Sequence, residues 1–176
     1  NKEEIVLIDS NKISYSILKN IPAGVKVVNG MNPSTKFKAQ KNSVEIENTK
    51  KAHIRDGVAV TKFMYWLKNN IGKIEITEIR ATQKLEEFRR EQDKFIEPSF
   101  STIAAYKDHA AMMHYSATEE SAYELKEEGL FLVDSGGQYL DGTTDITRTF
   151  ALGNLTDEEK KNYTLVLKGH IGLAKA

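Results

Sequence analysis

"DSGGQYLDGTTDITRT", residues 134–149, follows "LFLV", the most apolar run in the chain, and places three aspartates around a glycine-rich bend. Leu140-Asp141-Gly142 supplies turn residues, so the flanking arms read as an antiparallel hairpin. Turn chemistry alone accounts for Asp141. Asp134 and Asp145 need another reason. They lie eleven residues apart, and a turn on Asp141-Gly142 pairs residues whose numbers have an odd sum. That parity puts both side chains on one face of the hairpin. The same register sets Asp145 opposite Gln138, four residues or roughly 13 Å along the strand from Asp134. Two carboxylates at that separation cannot share an ion. They converge only where the ladder is disturbed, which predicts irregular pairing at Gly136-Gly137. Asp134, at the end of an apolar strand, is expected in or at the edge of a core, where a lone charge is costly and needs a partner. Singly, each Asp could cap backbone amides or threonine hydroxyls. Together, on one face, they favour a site for a hard cation held by oxygen.

Around the hairpin, "SFSTIAAY" (99–106), "AAMMHYS" (110–116), "LFLVDSGGQY" (130–139) and "TDITRTFAL" (144–152) are four strand-like runs, predicting an antiparallel meander. His114 then lies on a strand beside that of Asp134. Upstream, Asn42 and Glu45 form a capping-box signature. The helix it starts carries Ile46, Ile54, Val58, Phe63, Trp66 and Leu67 near a 3.6 period and stops at Asn69-Asn70-Ile71-Gly72. Thr77 caps a second helix, "EIRATQKLEEFRREQ" (78–92), with Ile79, Leu85 and Phe88 on one side; its "KLEEFRREQ" reads as a solvated charged face. Pro98 closes the helical region. Thr156 with Glu159 repeats the capping signature and starts a last helix. Helices, then strands, then a helix make an α+β pattern in which helices cover an antiparallel sheet. His53, His109 and His170 read as ordinary residues.

Residues 1–40 differ. A buried strand at Ile5–Ile8, a helical piece around Ser14–Leu18 and a second strand in "VKVVNG" make the end of an α/β unit. The Lys-rich "TKFKAQKNS" (35–43) reads as the boundary, giving a tail over 1–40 and a second domain over 41–176.

The 176 residues, 40% hydrophobic and 28% charged, suffice for one sizeable core. Lys+Arg and Asp+Glu both number 25, so no net field attracts nucleic acid, and no nucleic-acid partner is expected. The absence of cysteine excludes disulfides, zinc-thiolate sites and thiol nucleophiles, and fits a cytoplasmic location. No apolar run approaches the ~20 residues of a membrane span. The chain starts with Asn, which suggests processing or excision from a longer protein.

"DSGGQYLDGTTDITRT", preceded by "HYS" (114–116) and followed by "LKGH" (167–170), closely resembles the first metal-ligand motif of the Xaa-Pro aminopeptidases, in the family that also holds prolidase, creatinase and methionine aminopeptidase. The likeness runs from about Ser43 to the chain end and includes "NSVEIENTKKAHIRDGVAVTKFMYWL" and "SFSTI". It implies the N-terminal half of a two-lobed pita-bread domain, preceded over residues 1–40 by the tail of a creatinase-N-terminal-like α/β domain. It further implies two divalent ions, usually Mn2+, held by two Asp, one His and two Glu, with a bridging water attacking the amide before proline. Asp134 matches the ligand to one metal and Asp145 the carboxylate bridging both. His114 matches the catalytic histidine that hydrogen-bonds the substrate near the scissile bond. The implied substrates are peptides with proline in second position, and the implied full-length state is a cytoplasmic homodimer.

In the family the remaining His and two Glu come from later strands, which these 176 residues do not contain. The expectation is an inactive first half of the catalytic domain with weak or absent metal, prone to self-association through exposed sheet edges and helix faces. Two other readings are a prolidase-type dipeptidase and a non-catalytic peptidase-like binding module. Members of the latter kind usually lose the two aspartates that are present here.

Overall fold

Apolar Ile5–Ile8 forms strand β1, which pairs in parallel with β2 (Lys26–Asn29) in the register Ile5↔Lys26 to Ile8↔Asn29. Between them lies the short helix α1 (Tyr15–Lys19). The computed structural model describes residues 4–176. Helix α2 (Pro33–Ala39) occupies the Lys-rich stretch that sequence reads as a boundary. Asn32 caps it by accepting from the Ser34 N–H at 3.0 Å, and Pro33 sits at the first position, where a missing N–H costs nothing. The chain divides into a unit ending at Ile46 and a unit Glu47–Ala176.

Helix α3 (Ser43–Asn70) opens with the expected capping box: Glu45 N–H donates to Asn42 Oδ1 at 2.9 Å, and Asn42 N–H donates to the Glu45 carboxylate at 2.8 Å. It ends before Gly72, whose φ of +73° suits glycine. Its buried stripe is Ala52, Asp56, Ala59, Phe63 and Leu67, whereas Ile54 is 68% exposed and Ile46 and Val58 are exposed too. The expected face is therefore only partly right. The hairpin turn comes so close that a Cβ at Gly142 would lie 2.9 Å from Ala52 Cβ, so small side chains must face it.

Helix α4 (Glu78–Arg90) starts at Thr77, whose hydroxyl accepts from the Arg80 N–H at 3.1 Å. It buries Ala81 and Leu85, and with them Glu78 and Arg89. The supposed solvated face thus hides a guanidinium that is 1% exposed.

The strands are β3 (Phe95–Pro98), β4 (Ile103–Tyr106), β5 (Leu130–Ser135), β6 (Gly137–Tyr139), β7 (Gly142–Thr143) and β8 (Ile146–Ala151). They form two antiparallel sheets, β4-β5-β8 and β3-β6-β7, so one long hairpin contributes to both. "AAMMHYS" is no strand. A 3-10 turn covers Lys107–Ala111, entered through a left-handed Lys107 (φ +53°) that no strand accommodates. On β5, Phe131, Val133 and Ser135 are buried, while Leu130, Leu132 and Asp134 are half-buried on the other face.

The core joins Phe63, Leu67, Ile76 and Leu85 to Phe131, Val133, Phe150 and Leu152. Each such side chain contributes about 1.5–3 kcal/mol by burial. Phe63 meets Phe150 edge-to-face at 5.9 Å. Helix α5 (Asp157–Ala174) has the expected Thr156–Glu159 capping box but buries none of its residues; Val166 and Leu173 are 74% and 79% exposed.

Candidate metal centre

Register comes first. Asp134 pairs with Thr147 and Ser135 with Ile146; beyond the break, Gln138 pairs with Thr143 and Tyr139 with Gly142. The turn therefore sits on Leu140-Asp141, one residue earlier than expected, and the odd parity survives. Asp145 comes level with Gly136, two residues from Asp134 instead of four, which is roughly 7 Å along a strand. The ladder is interrupted at Gly136, as anticipated, but the register on the two sides is the same.

Ser99 occupies the interruption. Its N–H donates to the Gly136 carbonyl at 3.1 Å and its hydroxyl to the Thr144 carbonyl at 2.8 Å. A Cβ at Gly136 would stand 2.0 Å from that carbonyl oxygen and 2.3 Å from Ser99 Oγ, so glycine is required by space.

Asp134, Asp145 and His114 line one pocket of about 450 Å³, together with Phe100, Ser101, Thr102 and Ile103. Asp134 lies at the edge of the core, half-buried on the open sheet face. It accepts from Thr147 Oγ1 at 2.7 Å through Oδ1, and Oδ2 has no protein donor among the described residues. Asp145 is exposed. Among the described residues no group of three or more His, Cys, Asp or Glu forms. Two neighbouring carboxylates, one with a free oxygen, are a fitting but partial donor set for a hard divalent ion.

His114 is exposed, in a turn and not on a strand. Its position is set by its neighbour Tyr115, whose hydroxyl donates to Glu78 at 2.8 Å. Glu78 is fully buried and also accepts from the N–H groups of Tyr106 (2.7 Å) and Tyr123 (3.0 Å), with His109 Nδ1 at 3.0 Å. The His109 ring stacks between Tyr115 (4.3 Å) and Tyr123 (3.7 Å), so this histidine is a buried packing element and no ordinary turn residue. Burial, more than any neighbour, raises the Tyr115 phenol above its ordinary range.

Asp141 does more than turn. Lys94 Nζ donates to its Oδ2 at 2.7 Å and Arg55 donates to its Oδ1. The Lys94 hydrogen bond, helped by the charge of Arg55, holds its carboxyl below the usual aspartate range. The buried Asp56–Arg89 pair is a further cluster, with Tyr139 and Thr144 both donating to Asp56. Burial, then the charge of Asp56, pushes the Tyr139 phenol strongly upward. Sequence reading missed Glu78, Asp56 and Arg89 because their partners lie more than twenty residues away along the chain. His170 lies away from the aspartates, in a groove of about 700 Å³ between α5 and the open sheet face.

Among the described residues no helix is long and apolar enough to cross a membrane. Residues 47–176 match the family model described as metallopeptidase family M24. A "Probable Xaa-Pro aminopeptidase P" of Paracoccidioides brasiliensis (strain Pb03) is 43% identical over 169 residues, 95% of this chain and 27% of that protein. One of the same name from Talaromyces marneffei is 39% identical across 100% of this chain and 27% of its own length. The chain thus spans about a quarter of these relatives. An X-prolyl aminopeptidase structure from Caenorhabditis elegans, described as a cytosolic enzyme with a di-nuclear active site, is similar with a TM-score of 0.79 and 38% identity, over 83% of this chain and 24% of that one. Prolidase from Pyrococcus furiosus shares the fold, with a TM-score of 0.71 at 22% identity over 94% of this chain and 47% of its own. With its family model matched from Glu47 onward and its helices and antiparallel sheets arranged as in these peptidases, the chain belongs to metallopeptidase family M24 and carries part of the pita-bread fold.

Proposed function

We propose that this chain supplies the Asp134–Asp145 part of the metal centre of an Xaa-Pro aminopeptidase, which hydrolyses the bond between an N-terminal residue and a following proline. The observation that carries this reading is the pocket shared by Asp134, Asp145 and His114. Asp134 would hold one ion and Asp145 bridge two, with Mn2+ among the hard divalent ions that carboxylate donors suit. When bound, such ions lower the pKa of a water and stabilise the charge developing on the scissile carbonyl.

The chain's own residues do the positioning. The Thr147 hydroxyl fixes one Asp134 oxygen and leaves the other free to bind. His114 hydrogen-bonds the substrate beside the scissile bond, and Tyr115 on Glu78 keeps its segment in place. A bound proline has no N–H to offer a strand edge, so recognition must fall on side chains of this kind. The further His and two Glu that such a centre needs do not gather at this pocket among the described residues. Residues 1–40 belong to a preceding α/β domain, and the full-length enzyme is a cytoplasmic homodimer. A prolidase-type activity is the second reading, supported by the fold shared with prolidases.

The test is calorimetric titration of the full-length protein with Mn2+ alongside hydrolysis of X-Pro-Y and X-Pro peptides. Uptake of Mn2+ and cleavage of tripeptides are expected. Asp145→Asn should weaken both by more than the roughly 10–100-fold that changes around a ligand shell produce. Cleavage of dipeptides only would favour the prolidase reading. No metal uptake and no cleavage would leave a binding module.

A further inference from the structure

The buried Asp56–Arg89 pair takes no part in the chemistry proposed above, yet it reaches both arms of the hairpin. Asp56 is 0% and Arg89 1% exposed. Arg89 Nε donates to Asp56 Oδ1 at 2.7 Å and Nη2 to Oδ2 at 3.2 Å. Arg89 Nη2 also donates to Ser135 Oγ at 3.0 Å, and Thr144 Oγ1 donates to Asp56 Oδ2 at 2.9 Å. Ser135 is the residue after Asp134, and Thr144 is the residue before Asp145. On β5 successive side chains point to opposite faces, and between β7 and β8 Thr144 is buried while Asp145 is exposed. The pair therefore grips, from the buried side, the immediate neighbour of each aspartate on the open side.

Stability alone explains such a pair poorly. Replacing a buried ion pair by apolar side chains of similar volume is often neutral or stabilising. An apolar pair, however, cannot hold two hydroxyls. The grip also lies at the Gly136 interruption, between the end of β5 and the start of β8, where the arms are otherwise joined directly by Thr144 alone: its N–H donates to the Gly137 carbonyl at 2.9 Å and its hydroxyl accepts from the Gly137 N–H at 2.8 Å.

We propose that Asp56 and Arg89 are positioning residues for the metal centre, fixing the separation of Asp134 and Asp145 through the hydroxyls of Ser135 and Thr144. This rests on the reading of the two aspartates as ligands.

Removing Asp56 or Arg89 outright risks unfolding, so the test changes the hydroxyls in the full-length protein. Mn2+ affinity is measured by calorimetry, the melting temperature by circular dichroism, and amide exchange over residues 134–147 in metal-free protein. Thr144→Val and Ser135→Ala should weaken Mn2+ binding about 10–100-fold and speed exchange in that stretch. Thr144→Ser, which keeps the hydroxyl, should restore both. Tyr139→Phe removes another hydrogen bond to Asp56, at 3.0 Å, but from a residue adjacent to neither aspartate; it should lower the melting temperature and leave Mn2+ affinity as in wild type. Wild-type protein that takes up no Mn2+ overturns the ligand reading and this proposal with it. Thr144→Val also takes the acceptor from the Gly137 N–H, whereas the Ser135 hydroxyl bonds Arg89 alone; normal uptake with unchanged affinity in Ser135→Ala, or equal weakening in Tyr139→Phe, overturns this proposal alone.

Discussion

Asp141 binds two cations at once, Lys94 through one oxygen and Arg55 through the other, and ties the hairpin turn to α3 and to the start of β3. Its folded carboxyl titrates below the ordinary aspartate value, first because of the Lys94 hydrogen bond and then because of the Arg55 charge. A depressed carboxylate stabilises the fold at every pH above the unfolded pKa, and that contribution fades as pH falls through the lower, folded pKa. Asp141→Asn should therefore lower the melting temperature most at neutral pH, and the gap to wild type should close as pH drops below the usual aspartate range. Arg55 Nε already lacks a partner among the described residues, so losing Asp141 leaves that guanidinium more poorly satisfied still. Melting curves of both proteins across the acid range decide it; a gap independent of pH would mean the two ion pairs contribute nothing. Asp141 shows how a residue with a sufficient local explanation can have a further, distant one that sequence does not display.

Helix α4 organises the site from beneath, through its first residue and its last turn. Glu78 gathers the 3-10 turn, the Tyr115 hydroxyl and the Tyr123 amide on one carboxylate; Arg89 meets Asp56 of α3. Glu78→Gln replaces one accepting oxygen by an NH2 that must face donors, at a cost of about 1–3 kcal/mol. The segment 107–116, which bears His114, should then exchange its amides faster while β5 and β8 keep their protection. Exchange mass spectrometry reads both regions, and an unchanged 107–116 would remove Glu78 from the positioning of His114. At this scale much was legible. The capping boxes at Asn42 and Thr156 and the Thr77 cap are local devices whose partners are three residues apart, and each is found where the sequence puts it. The common face of Asp134 and Asp145 follows from parity, which survives a shift of the turn by one residue. The register itself does not survive, because Leu140-Asp141 and Asp141-Gly142 are both competent turns. The inner face of α3 was hidden because close approach of the hairpin selects alanines over isoleucines. The Asp56–Arg89 and Glu78 clusters were hidden because their partners lie more than twenty residues away and a buried charge has the same letter as a solvated one.

The molecule is built from two unequal parts. The core cluster runs from Phe63 to Leu152 and so lies wholly within Glu47–Ala176, the stretch that matches family M24. In the unit ending at Ile46, Ile8 is the one buried apolar side chain among the described residues, and Ile5, Val27 and Val28 of the β1-β2 pair are 60%, 42% and 41% exposed. A two-stranded sheet with that little burial is marginal by itself. Removing residues 1–41 keeps Asn42, and with it the N-terminal cap of α3. The chain 42–176 should therefore unfold in one cooperative transition within a few degrees of the 176-residue chain, since one or two degrees corresponds to only a few tenths of a kcal/mol at this size. A peptide of residues 1–41 should show little fixed structure by circular dichroism. Further cutting to residue 47 removes the capping box, worth about 1 kcal/mol, and should lower the transition by several degrees. A 42–176 chain that fails to fold would mean that the first unit contributes to the stability of the second, and the division at Ile46 would then lose its energetic meaning.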